Sequence, residues 1–95
     1  MALTFEWDVR KAARNLAKHG VSFDEAITAF DDPLGRIQDD PRHSVREARL
    51  VLLATSVAAR LLTVMFTDRG PERIRLISAR AATRRERTEY EEGDE

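Results

Sequence analysis

Along the chain, apolar residues switch between a spacing of two and a helical spacing, and the switches mark the elements. Leu3, Phe5 and Trp7 alternate with polar residues, which predicts a short strand over 3–7 with those three on one face. From Asp8 the spacing becomes helical. Val9, Ala12, Ala13 and Leu16 form an apolar stripe on a helix that Asp8 caps and Gly20 ends after His19. Ser22-Phe23-Asp24-Glu25 is a capping box for a second helix, on which Phe23, Ala26, Ile27 and Phe30 line a core-facing side until Asp31-Asp32-Pro33 stops it. Leu34–Gln38 reads as a short strand ended by Asp39-Asp40-Pro41. Three longer strands follow, over Arg46–Thr55, Arg60–Asp68 and Arg73–Arg80, with near-continuous apolar runs in the first two. Asp68-Arg69-Gly70-Pro71 is a turn, whereas Ser56-Val57-Ala58-Ala59 lacks Gly, Asn and Asp and leaves its turn type open. A second capping box, Thr83-Arg84-Arg85-Glu86, opens a last helix.

The order β-α-α-β-β-β-β-α predicts an α+β fold. A mainly antiparallel sheet of about four to five strands would carry the two early helices on one face and a short C-terminal helix. The other face would be partly open, with room for a ligand. One domain is expected over 1–92, with 93–95 a disordered acidic end.

The last helix breaks two local rules. Tyr90 is its one large apolar side chain, so it has almost no face to bury. It also carries Arg84, Arg85 and Arg87 at its start and Glu89, Glu91 and Glu92 at its end, the reverse of what the helix dipole favours. Pairs such as Arg85–Glu89 and Arg87–Glu91 offset part of that cost. Arginines clustered at a helix start make a good phosphate site. The same segment also reads as a solvated terminal helix.

Charge sharpens the picture. The net charge of −1 hides an uneven distribution: seven arginines and two glutamates between Arg69 and Arg87, then five acids and no base from Glu89 to Glu95. A basic patch beside an acidic tail suits a polyanionic partner. On the first helix Lys11, Arg14 and Lys18 form a basic ridge, by default a solvated face. The absence of cysteine excludes disulfides and thiolate metal sites. With no signal-peptide h-region and no apolar run long enough to span a bilayer, a cytoplasmic protein is expected.

The chemistry-bearing residues are arginines, two histidines, a few acids and one tyrosine. That set suits RNA cleavage without a metal, because the neighbouring 2′-hydroxyl is the nucleophile and the protein need supply only a base, an acid and cations. His19 and His43 also read as ordinary surface or turn residues, Glu47 and Arg49 as a surface pair on one strand face, and the Asp-Asp-Pro triplets as turns rather than metal ligands. Strict strand alternation puts Arg73 and Arg75 on one face and Arg80 on the other with Ile74, Leu76 and Ser78. Arg80 joins the patch only if the strand bends or ends near Ser78–Ala79.

Nearly the whole chain resembles the BrnT toxin family. Phe5-Glu6-Trp7-Asp8, Lys11-Ala12, Asn15-Leu16, Lys18-His19-Gly20-Val21-Ser22-Phe23 and Phe30-Asp31-Asp32-Pro33 carry the first half of the likeness. Arg46-x-x-Arg49, Arg60-Leu61-Leu62, Ile74 through Arg80, Ala82 through Arg87 and Tyr90-Glu91 carry the second. The resemblance implies a RelE-like fold and a ribonuclease toxin of a type II toxin–antitoxin pair, needing no cofactor and no metal. It implies a BrnA-type antitoxin as partner, RNA (including ribosome-bound mRNA) as substrate, and operator DNA only through the antitoxin complex. It places Lys18, Arg69, Arg80, Arg84, Glu47 and Tyr90 as catalytic candidates; beside that resemblance, Lys11, Arg14, His19, Arg49, Arg75 and Arg85 are read as candidates for contacting RNA. Glu47, His19 and Tyr90 are equal candidates for moving protons. Two departures stand out: Val57-Ala58-Ala59 replaces a glycine-containing turn, and Ala81 stands where a second arginine is common. The alternative reading is a non-catalytic module that binds the antitoxin and acts in operon autorepression.

Overall fold

The last three strands build the centre of the sheet, as their apolar runs require. In the computed structural model, which describes residues 3–44 and 47–93, the sheet order is β1-β5-β4-β3-β2. These strands are β1 (Thr4–Glu6), β2 (Arg36–Asp39), β3 (Arg49–Thr55), β4 (Leu61–Asp68) and β5 (Arg73–Ala81). β1 runs parallel to β5, and every other neighbouring pair is antiparallel. The helices are α1 (Val9–His19), α2 (Phe23–Thr28, continued by a 3-10 turn over Ala29–Asp31) and α3 (Arg84–Glu92). The α+β layout with five strands is therefore as the pattern predicts. The predicted strand start at Arg46 and the chain end at Asp94-Glu95 lie outside the described residues.

One sheet face is the core. Leu52, Ala54, Leu62, Val64, Phe66, Ile74, Leu76 and Ala79 pack there against Val21, Phe23, Ala26 and Ala29. Trp7 meets Phe23 edge-on, and Phe30 bridges Phe5 and Phe66, with ring centroids 5.0–5.8 Å apart. Burying each such large side chain contributes roughly 1.5–3 kcal/mol.

The apolar stripe predicted for α1 is corrected. Val9 is 77% and Leu16 51% exposed, and Ala13 is also exposed; the side that packs on β5 carries Ala12, Asn15 and His19. Polar Asn15 sits at the centre of this interface, only 7% exposed, because the edge of β5 offers peptide groups that need partners rather than an apolar surface. The caps of α1 are as predicted: the Asp8 carboxylate accepts from the Arg10 and Lys11 amides, and Gly20 closes the helix at φ 70°.

The turn left open by sequence has an unusual solution. Ala59 N–H donates to Ser56 O, and Ala59 itself adopts φ 63°. This three-residue hairpin loop places alanine where glycine is normally required.

α3 lies over the other sheet face without burying a single residue. Polar contacts hold it instead. Thr83 and Glu86 form the capping box, Glu86 also accepts from Thr63 Oγ1 at 2.8 Å, and the Tyr90 hydroxyl donates to Asp32 at 2.6 Å. The reversed dipole is relieved at both ends: Glu86 puts negative charge in the first turn, and Arg36 of β2 donates to the Glu89 and Gly93 carbonyls at 2.8 and 2.9 Å. The Arg87–Glu91 pair forms at 3.8 Å, while no Arg85–Glu89 pair is present among the described residues.

Candidate functional site

A β-bulge decides where Arg80 points. Thr67 pairs with Arg75 and Phe66 with Leu76, but Met65 pairs with Ser78, so Ile77 is an extra residue on β5. Beyond it Val64 pairs with Ala79 and Thr63 with Arg80. Thr63 and Thr67 share a face of β4, so Arg80 stands on the same face as Arg75 and Ala79 takes the core side. This overturns strict alternation. Without the bulge Arg80 would enter the core beside Leu62, where an unpaired charge is costly. Bulges commonly re-aim side chains in this way.

Beside the bulge, Lys11, Arg14, Asn15, Lys18 and His19 of α1 face Ile77 and Ser78 across a cleft of about 280 Å³. Lys11, Arg14 and Lys18 are exposed and have no carboxylate partner among the described residues. The basic ridge is thus one wall of a cleft whose other wall leads, two residues on, to Arg80.

Arg80 is half-buried and held from its end. Nη1 and Nη2 donate to the two Glu86 carboxylate oxygens at 2.9 and 3.0 Å, and Nη1 also reaches the Ala81 carbonyl at 3.3 Å. The fork holds the Glu86 carboxyl down from 4.5 to about 2 against the opposing effect of burial, with the Thr83 amide and Thr63 hydroxyl adding to the depression. A guanidinium has five N–H donors. Nε–H and the second Nη2–H of Arg80, which form the side edge of the group, have no partner among the described residues. That edge presents two parallel donors, the pattern that matches two oxygens of a phosphate or carboxylate.

The other candidates fall into separate groups. Arg49, Thr67 and Arg75 lie abreast on the open face, with Arg75 paired to Glu6 at 3.0 Å. The Thr67 hydroxyl beneath them is buried and has no hydrogen-bond partner among the described residues. Arg69 and Glu47 form an exposed pair at 3.6 Å at the β4–β5 turn, at the far end of that hairpin from Arg80. Arg84 and Arg85 are exposed in the first turn of α3, without a carboxylate partner among the described residues. Tyr90 stands apart from the cleft: its hydroxyl donates to Asp32 and accepts from Thr55, and Asp32 pushes the phenol above its usual range. Asp32 also accepts from the Leu34 and Thr55 amides, and Asp40 from His43, so both Asp-Asp-Pro triplets serve turns. No three metal-binding side chains converge among the described residues.

Sequence reasoning missed Asn15 and Arg36 as organisers of this region. Asn15 could have been found as a helix-disfavouring residue placed three after Ala12 and four before His19. Arg36, on a short strand with no motif, carries no such signal.

A family model described as the ribonuclease toxin BrnT of type II toxin–antitoxin systems matches residues 7–86. Among solved structures, the crystal structure of the Brucella abortus ribonuclease toxin BrnT is similar, with a TM-score of 0.68 and 22% identity. The match covers 87% of this chain and 100% of that one, and at such identity it establishes the fold. No curated protein matches.

Proposed function

The chain belongs to the BrnT family of ribonuclease toxins of type II toxin–antitoxin systems, and from that premise we propose that it cleaves RNA without a metal, at the cleft between α1 and the bulged end of β5. The observation that carries the proposal is Arg80: Glu86 fixes the guanidinium from its end and leaves its side edge for a phosphate. Lys18, Lys11 and Arg14 supply further positive charge along the RNA backbone, and Arg84 and Arg85 extend it at the start of α3.

In this mechanism a base takes the proton of the 2′-hydroxyl, whose oxygen attacks the adjacent phosphorus. The phosphorane that forms carries extra negative charge, which Arg80 and Lys18 stabilise. The bond to the 5′-oxygen then breaks, that oxygen takes a proton, and a 2′,3′-cyclic phosphate remains. His19 is the proton carrier best placed for this, since it lines the cleft beside Lys18. Glu47 and Arg69 act at the β4–β5 turn, with Arg49 and Arg75, on RNA that runs along the open face. Tyr90 acts mainly by holding α3 in place, and through it Glu86.

A type II toxin implies an antitoxin. We propose a BrnA-type partner, operator DNA contacted only through the complex, and action in the cytoplasm. No helix among the described residues is long and apolar enough to cross a membrane. The test is induced expression in a bacterial host with and without a co-expressed BrnA-type antitoxin. Growth arrest with RNA decay, relieved by the antitoxin, is the outcome that agrees. Normal growth with intact RNA and a purified protein that still binds the antitoxin would leave the non-catalytic module as the better account.

A further inference from the structure

We propose that Asn15 is a positioning residue for this site: its amide clamps the bulged end of β5 to α1, so that Arg80 and the α1 cations stand along one cleft. The inference rests on the assignment of Arg80 to RNA cleavage.

The need for a clamp follows from the topology. β1 pairs with β5 from Thr4–Arg73 to Glu6–Arg75, so beyond Arg75 the outer edge of β5 has no strand beside it among the described residues. Ala79 is fully buried on that edge, where an unpaired peptide group is strongly destabilising. Asn15 provides both missing bonds. Its Nδ2 donates to Ala79 O at 2.8 Å, and its Oδ1 accepts from Ala79 N–H at 3.0 Å. A side-chain amide has the donor and acceptor of a peptide group, so Asn15 stands in for one residue of the absent strand. Nδ2 also donates to Val21 O at 2.9 Å, just past the end of α1, and fixes the helix exit with the same group.

The position of this clamp links it to the chemistry. It lies two residues after the extra residue Ile77 and one before Arg80. A bulge loosens the ladder around it, so an anchor at Ala79 fixes the direction of Ser78 and Arg80 on either side. Asn15 also sits on α1 among Lys11, Arg14 and Lys18, which keeps both walls of the cleft in one rigid unit. No close substitute fits: Asp lacks both donors, Gln is one methylene too long, and Ser cannot reach Ala79 and Val21 together.

The experiment compares purified wild type, Asn15→Ser, Arg80→Ala and the double variant in RNA cleavage, with backbone amide exchange and the Arg80 Nε–H resonance followed by NMR. Misplacement of a catalytic group can cost about 100-fold, so Asn15→Ser is expected to lower kcat by about 30-fold with KM changed less than about 3-fold. In the Arg80→Ala background it should cause no further loss, because it acts through Arg80. Ala79 amide exchange should quicken at least about tenfold and the Arg80 resonance should shift, while the β4 core amides keep their protection. Wild-type cleavage by Asn15→Ser, or losses that multiply in the double variant, would overturn the proposal. If the wild type cleaves no RNA, the ribonuclease assignment fails, and the clamp is then judged by NMR alone: unchanged Ala79 and Arg80 signals in Asn15→Ser overturn it, changed ones support it. Should Asn15→Ser not fold, Asn15→Asp is read across pH. The carboxylate opposes the Ala79 and Val21 carbonyls and the neutral acid regains one donor toward them, so the Arg80 resonance should return toward its wild-type position as the carboxyl protonates, and failure to return counts against the clamp.

Discussion

Arg80 and Arg69 are both arginines with a glutamate partner, at opposite ends of the β4–β5 hairpin, yet their surroundings differ. The Arg80–Glu86 pair is a two-bond fork at 2.9 and 3.0 Å, half-buried and braced by Thr63, Thr83 and Ala81. The Arg69–Glu47 pair is a single contact at 3.6 Å between side chains more than 40% exposed. Exposed pairs of that kind contribute about 0–1 kcal/mol and hold no fixed geometry. The proposed mechanism, which stabilises a phosphorane, needs donors already in place, and of these two arginines Arg80 is the one held in a fixed geometry.

The largest expected effect tests this contrast on activity. Arg80→Lys keeps the charge and loses the fork, and should slow cleavage by roughly 30–100-fold. Arg69→Lys should stay within about threefold of wild type in the same assay, since an exposed single contact depends little on fork geometry. Equal losses would erase the distinction. The next effect is on stability. Glu86→Gln should cost about 1–3 kcal/mol in chemical denaturation at pH 7, because the folded state holds this carboxyl well below its ordinary range. The sign follows from the depressed pKa: the contribution is full above the ordinary value of 4.5 and is lost as pH falls through about 2, so the gap between variant and wild type should close in acid. A smaller effect is expected for Tyr90→Phe, which removes the hydrogen bond to Asp32 and the longer one accepted from Thr55 and should cost about 1 kcal/mol. Cleavage should change only modestly; a loss as large as that of Arg80→Lys would give Tyr90 a part in proton transfer. The smallest is Ala59→Gly. It relieves a left-handed alanine but loosens the unfolded chain, and calorimetry should show a gain of no more than about 1 kcal/mol.

The same contrast shows what was legible in the sequence. Periodicity and caps located the three α-helices and five strands, though not the 3-10 turn at Pro41–His43, and the capping box at Thr83–Glu86 gave the start of α3 correctly. Two features stayed hidden because they depend on long-range pairing. The bulge at Ile77 follows from the register between β4 and β5, and no local signal in Arg73–Arg80 distinguishes it from a regular strand. The buried side of α1 was misread because apolar spacing selected Val9 and Leu16, whereas the unpaired edge of β5 selects Asn15. The residue types of the site were therefore visible, and their arrangement was not. Arg80 reaches the face it shares with Arg75 only through a shift of one residue that a neighbouring strand imposes.

The most direct measurement is cleavage of a defined RNA by purified wild type and Arg80→Ala, with a metal chelator present and the product ends identified. The account predicts that the wild type leaves 2′,3′-cyclic phosphate ends and that Arg80→Ala is at least about 100-fold slower. An inactive wild type, cleavage that stops on chelation, or an Arg80→Ala variant as fast as the wild type would contradict it.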